Sequence, residues 1–147
     1  MLASSGVVAE GRRVGTDLKK WTVHKFGGTS VRDAARYRKV AEIVLSDPSP
    51  NLKAIVVSAM KGVTGDLLKC VRYATAQKPL QLELLETIHA RHRSEARDLI
   101  KNHQLLEKIL QAFMTDFQEL GEILRGVWLV KNHSEKISDL VSGMGEV

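Results

Sequence analysis

The sequence predicts an α/β domain built on a parallel sheet, short of strands and rich in helix toward its C-terminal half. Two observations carry that expectation. Residues 21–77 read as strand, glycine loop, helix, strand, loop and helix, the alternation of a βαβ unit with a crossover helix. The second strand, Leu52 to Ser58, contains the unbroken apolar run Ala54, Ile55, Val56 and Val57, which suits a strand covered on both faces.

The elements follow in order. Trp21 to Phe26 is short, β-branched and aromatic, and stops at Gly27 and Gly28, as a strand entering a tight turn does. Ser30 followed by Asp33 matches a capping box. Val31, Ala34, Ala41, Val44 and Leu45 carry a helix to about Ser46, and Asp47, Pro48, Ser49 and Pro50 end it. A loop with Gly62, Thr64 and Gly65 leads to a helix from Leu67 to Gln77, with Asp66 as its candidate cap. Leu82, Leu85, Ile88, Ala96, Leu99 and Ile100 mark one amphipathic helix. A longer one runs from Leu106 to Trp128 and closes near Asn132. Ser134 is the candidate cap of a last helix through Leu140, which runs into a glycine-flexed loop from Ser142 to Glu146. Two strands patterned for burial are too few for an all-parallel sheet, so the chain is expected to be a fragment, the front part of a larger α/β domain.

Composition excludes several classes. The 147 residues are 44% hydrophobic and 27% charged, as in ordinary globular proteins, which argues against disorder, collagen and coiled coil. No apolar run approaches the roughly 18 residues that span a bilayer, so no membrane partner is expected. The net charge of +5 comes without a dense basic run, so nucleic acid is not an expected partner either. Cys70, the single cysteine, cannot form an internal disulfide and reads as a small buried hydrophobe. Residues 1–20 hold small residues with no sustained period and are expected to form a flexible leader.

Three stretches can carry chemistry. In the first, Gly27 and Gly28 let an anion approach the backbone, and the start of the following helix points N–H groups at the same spot. Lys25 adds a positive charge there, and Thr29 and Ser30 add hydroxyls; these are the parts of a phosphoryl-transfer site. The spacing fits neither a Walker loop nor a dinucleotide fingerprint, and the plainer reading is a strand–helix turn with an exposed lysine. In the second, Ser58 and Thr64 flank a loop that a parallel sheet places beside the first, with hydroxyls for a carboxylate or phosphate. The plainer reading there is a small-residue turn. In the third, Glu146 on a glycine-rich loop can hold a substrate ammonium, although a glutamate in such a place is more often a solvated surface residue. Arg91, His92 and Arg93 read as the solvated face of a helix. His24, His89, His103 and His133 lack metal-ligand spacing, so no metal site is expected on the chain itself.

Taken in order, KFGGTSV at 25–31, VVSAMKGVT at 56–64 and VSGMGE at 141–146 resemble the aspartate kinases of the amino-acid kinase family. Leu124 to Val130 is similar to the corresponding stretch of the plant-type bifunctional aspartokinase–homoserine dehydrogenases. The resemblance covers about residues 21–147 and implies the N-terminal part of a kinase catalytic domain, with a parallel sheet that carries helices on both faces. It implies phosphorylation of the β-carboxylate of L-aspartate by ATP, with Mg2+ carried on the ATP, as the first step of aspartate-family amino-acid biosynthesis.

On that resemblance Lys25 would neutralise the ATP phosphates and the transition-state charge. Gly27 and Gly28, with Thr29 and Ser30, would cradle the phosphates. Ser58 and Thr64 would hold aspartate near the γ-phosphate, and Glu146 would receive its α-ammonium. A homo-oligomeric parent is implied, in the plastid for a plant protein and in the cytoplasm otherwise. Two positions depart from the pattern: Gly65 replaces the usual Asp or Asn, and Met144 replaces the usual His before Gly-Glu. The carboxylate-gripping arginine, the adenine-binding region and the regulatory domains are expected beyond Val147, so the chain alone is expected to be inactive. The competing readings are another amino-acid kinase, a basic helical binding module using Arg91, Arg93, Arg97 and Lys101, and a non-catalytic partner docking through its sheet edge.

Overall fold

The structure, a computed structural model, describes residues 20–146; the leader expected over residues 1–20 lies outside them apart from Lys20. Strand β1 (Trp21–Phe26) and strand β2 (Leu52–Val57) pair in parallel, in register from Trp21 opposite Leu52 to Phe26 opposite Val57. Helix α1 (Ala34–Ser46) is the crossover between them. This is the expected α/β arrangement. The register sorts the side chains by face: Trp21, Val23 and Lys25 stand with Leu52, Ala54 and Val56, and Thr22, His24 and Phe26 with Lys53, Ile55 and Val57.

The second face is tied to the end of α1. Lys53 Nζ donates to the carbonyls of Val44 at 3.1 Å and Asp47 at 2.8 Å, and His24 Nε2 lies 2.9 Å from Asp47 Oδ2. The Ser49 amide and then the His24 ring hold the Asp47 carboxyl below its ordinary pKa. The first face is largely open, with Trp21 60% and Val23 64% exposed. The cover expected from the apolar run of β2 is therefore incomplete within residues 20–146, where Ile55, Val56 and Val57 all remain exposed.

Most burial lies among the helices. Helix α2 (Val63–Thr75) is the central one, packed against α3 (Leu80–Leu99), α4 (His103–Val130) and α5 (Glu135–Gly143). Its Val63, Leu67, Cys70, Val71 and Ala74 meet Leu85 and Ile88 of α3, Leu120, Leu124 and Val127 of α4, and Val141 of α5. These positions recur every three or four residues, as one helix face requires. Burial pushes the Cys70 thiol up to about 11, which keeps it protonated and unreactive. Leu124 is fully buried in this cluster. Leu124→Ala should cost about 2–5 kcal/mol of stability through lost contacts and a cavity, read as a lower midpoint in urea unfolding.

Four element boundaries differ from expectation. Ser30 does not cap α1; Asp33 does, its side chain accepting from the Arg36 amide. Asp66 does not cap α2, which starts earlier, at Gly62, in the left-handed conformation with φ 91°. Val63, Thr64 and Gly65 looked loop-like because a β-branched pair and a glycine are poor helix formers; burial of Val63 overrides that preference. Helix α4 is closed by Lys131 in the left-handed region rather than by Asn132. Residues 142–146 are not a loop: Ser142 and Gly143 complete α5, and Met144–Glu146 form a single 3₁₀ turn, named η1.

Candidate functional site

Parallel pairing delivers the carboxyl ends of β1 and β2 to one edge, so the loops that follow them lie together. They are bonded directly. The Ser58 amide donates to the Phe26 carbonyl at 3.0 Å and the Lys61 amide to the Gly28 carbonyl at 3.1 Å. The approach is close enough that a Cβ on Gly28 would stand 2.8 Å from the Ala59 carbonyl oxygen. Residue 28 must therefore be glycine for the loops to meet.

In the first loop the Ser30 amide donates to the Gly27 carbonyl at 2.7 Å, closing a turn over Gly28 and Thr29. Among the described residues the amides of Gly28 and Thr29 have no protein acceptor. Lys25 is exposed at the carboxyl end of β1 and makes no ion pair among the described residues. A nearby ammonium and free amides suit a phosphate group.

One part of the sequence expectation is overturned. The start of α1 cannot contribute to an anion hole, because two carboxylates already occupy it. Asp33 Oδ1 accepts from the Arg36 amide at 2.9 Å, and Glu95 Oε2, reaching from α3, accepts from the Ala34 amide at 2.6 Å. The bond from the Arg36 amide, followed by that from the Arg32 side chain, keeps Asp33 below its ordinary pKa and hence ionised. The available helix start is that of α2. Gly62 offers no side-chain cap, and the Thr64 and Gly65 amides have no protein acceptor among the described residues. A glycine at the cap position was the legible signal for this.

Glu146 comes to the same helix by another route. Gly145 lies so close to α2 that a Cβ there would stand 2.7 Å from Leu67 Cδ1 and 3.2 Å from Val63 Cγ1. Met144 packs against the hydrophobic core, and Glu146 itself is exposed. The structure thus gathers Gly27, Gly28, Thr29, Ser30, Ser58 and Thr64 on two joined loops and the α2 start, with Lys25 at the end of β1 before them, and sets the Glu146 turn against Val63, the neighbour of Thr64.

The basic stripe of α3 is partly engaged elsewhere. Arg91, half-buried, donates to two backbone carbonyls, and Arg93 Nη2 pairs with Glu86 Oε1 at 2.6 Å. Among the described residues no group of three or more His, Cys, Asp or Glu side chains can hold a metal ion, and no helix is long and apolar enough to cross a membrane.

Two bonded strand-end loops, a free ammonium and an uncapped helix start make an α/β unit suited to an anion. The model of the amino acid kinase family matches residues 20–141, and the chain belongs to that family. It is 39% identical over 127 residues to the chloroplastic bifunctional aspartokinase/homoserine dehydrogenase 2 of Arabidopsis thaliana, covering 86% of this chain and 14% of that protein. It is 31% identical over 135 residues to the chloroplastic aspartokinase 2 of the same plant, covering 90% of this chain and 23% of that one. Among solved structures it matches Escherichia coli aspartokinase III in complex with aspartate and ADP. That match has a TM-score of 0.67 and 28% identity, over 84% of this chain and 26% of the other. The chain thus spans about one seventh of its bifunctional plant relative and about a quarter of the bacterial enzyme.

Proposed function

We propose that residues 21–147 are the N-terminal part of an aspartate kinase catalytic domain, which transfers the γ-phosphoryl group of ATP to the β-carboxylate of L-aspartate. The observation that carries this reading is the pair of bonded loops with Lys25 beside them, in a chain whose relatives are aspartokinases. The likeness to a bacterial enzyme described with aspartate and ADP supports both substrates.

In the reaction a β-carboxylate oxygen forms a bond to the γ-phosphorus, the bond from that phosphorus to the β,γ-bridging oxygen breaks, and ADP leaves with the electron pair. Lys25 offsets the negative charge that spreads over the phosphoryl oxygens and the departing bridge. The Gly28 and Thr29 amides, with the Thr29 and Ser30 hydroxyls, orient the phosphates, and Gly27 begins the turn that presents them. Ser58 and Thr64 hold the acceptor carboxylate, and Glu146 holds the α-ammonium. Mg2+ enters bound to the ATP phosphates. The parent protein assembles as a homo-oligomer, and a plant parent acts in the plastid, as the chloroplastic names of the plant relatives suggest.

The test is ADP release by a kinase that carries this segment, with aspartate, glutamate and UMP offered as acceptors. Turnover with aspartate alone is expected; a preference for another acceptor would redirect the reading within the family. In the same assay Glu146→Gln should raise the aspartate KM by about tenfold or more with little change in kcat, because it removes ground-state binding of the ammonium. An unchanged KM would remove Glu146 from the site.

A further inference from the structure

Both site loops are gripped from outside by one side chain. Arg91 of α3 donates from Nη1 to the Lys61 carbonyl of the second loop at 2.9 Å and from Nη2 to the Arg32 carbonyl of the first at 2.7 Å. A planar guanidinium holds its N–H groups in a fixed fork, so these two bonds set a distance between the loops as well as attaching each one. One turn along the same helix, Glu95 takes the Ala34 amide at 2.6 Å. Farther on, the Asp98 carbonyl and carboxylate both receive Arg38 Nη2 at 2.9 Å. Helix α3 therefore hydrogen-bonds to the first loop and α1 at Arg32, Ala34 and Arg38, and among the described residues its hydrogen bond to the second loop comes from Arg91.

We infer that Arg91 is a positioning residue that fixes the glycine turn of the first loop relative to the α2 start. It acts through the backbone of Arg32 and Lys61 and, among the described residues, hydrogen-bonds to none of the groups assigned to phosphate or aspartate. Its effect on ligand binding rests on the phosphate-site reading given above; the grip on the loops does not. Without Arg91 the hydrogen bonds that join the two loops among the described residues are the backbone ones, Ser58 to Phe26 and Lys61 to Gly28, beside the buried side chains of Val31, Ala59 and Met60. Lysine in its place keeps the charge but donates from one freely rotating nitrogen instead of two held in a rigid fork, so it does not fix the separation of the two carbonyls.

The test is amide hydrogen exchange on the full chain, unaltered and as Arg91→Ala, Arg91→Lys and Arg93→Ala, with an ADP titration of each. Arg91→Ala should speed exchange by about tenfold in segments 27–33 and 58–64 while α4 stays protected. Arg91→Lys should restore protection only in part, leaving at least one of the two segments faster than in the unaltered chain. Arg93→Ala, whose parent side chain pairs with Glu86, should leave both as they were. Where the unaltered chain binds ADP, Arg91→Ala should weaken that binding about five- to tenfold and Arg93→Ala should not. Exchange in both loops of Arg91→Ala equal to that of the unaltered chain would overturn the inference, as would full restoration of both loops by lysine. If the alanine variant does not fold, the lysine variant decides by the same criterion. Failure of the unaltered chain to bind ADP would count against the phosphate-site reading, and the exchange result would still judge Arg91.

Discussion

Lys25→Ala is expected to lower kcat for aspartate-dependent ADP release by about 10³-fold in a kinase that carries this segment. The transferred phosphoryl group gains its most dispersed negative charge in the transition state, so an ammonium aimed at it lowers the barrier more than it tightens binding. The fold should hardly respond. Lys25 is exposed and unpaired among the described residues, and exposed positions of this kind move stability by no more than about 0.5 kcal/mol. A steep kinetic loss with an unchanged Tm is the expected signature. A kcat within tenfold of the unaltered enzyme would take Lys25 out of the chemistry.

Gly28→Ala is the second large effect, and it acts through structure. The added Cβ meets a backbone oxygen, Ala59 O, at 2.8 Å, and a backbone atom cannot rotate away as a side-chain tip can. The loops must separate, stretching the bond from the Lys61 amide to the Gly28 carbonyl. A loss of about 1–3 kcal/mol is expected, lowering Tm by several degrees, together with a fall in ADP affinity. Gly27→Ala is the matched comparison, because a Cβ there meets nothing within 4 Å. Thermal unfolding of the two variants side by side should show a large shift for residue 28 and a small one for residue 27. Equal shifts would mean that the loops do not depend on their close approach.

Much of this architecture could be read from residue order. The βαβ start, both strands and the helical second half follow from apolar periodicity and from punctuation by Gly and Pro. The site was legible as a set of residues and less so as a set of bonds. Asp33 satisfied the sequence pattern of a capping box as its last member and is in fact the cap, because the chain needs Gly27 to Ser30 for a turn of its own. Glu95 and Arg91 were illegible as site neighbours. Each acts about 60 positions along the chain from the residue it holds, Ala34 for Glu95 and Arg32 for Arg91, and no local periodicity encodes such a pairing. Arg91 resembled any other cation on an amphipathic helix until the two carbonyls in its reach were seen. The 3₁₀ turn at Met144–Glu146 was hidden by Gly143 before it and Gly145 within it, and the tight packing of Gly145 on α2 depends on a helix defined elsewhere in the sequence.

The carboxylates at the start of α1 have an electrostatic consequence for the whole edge. Two helices begin beside the joined loops, and each would by default turn the positive end of its dipole toward an arriving anion. Asp33 and Glu95 bond to the amides of one of them, while Gly62 leaves the other without a side-chain cap and Asp66 in its first turn is paired with Lys69. A triphosphate offered two equivalent seats would divide its time between them, with its terminal phosphorus in two places. Here the two seats are unequal: a pair of carboxylates fences an anion off one of them, while at the other a single carboxylate is already neutralised by a lysine on its own helix.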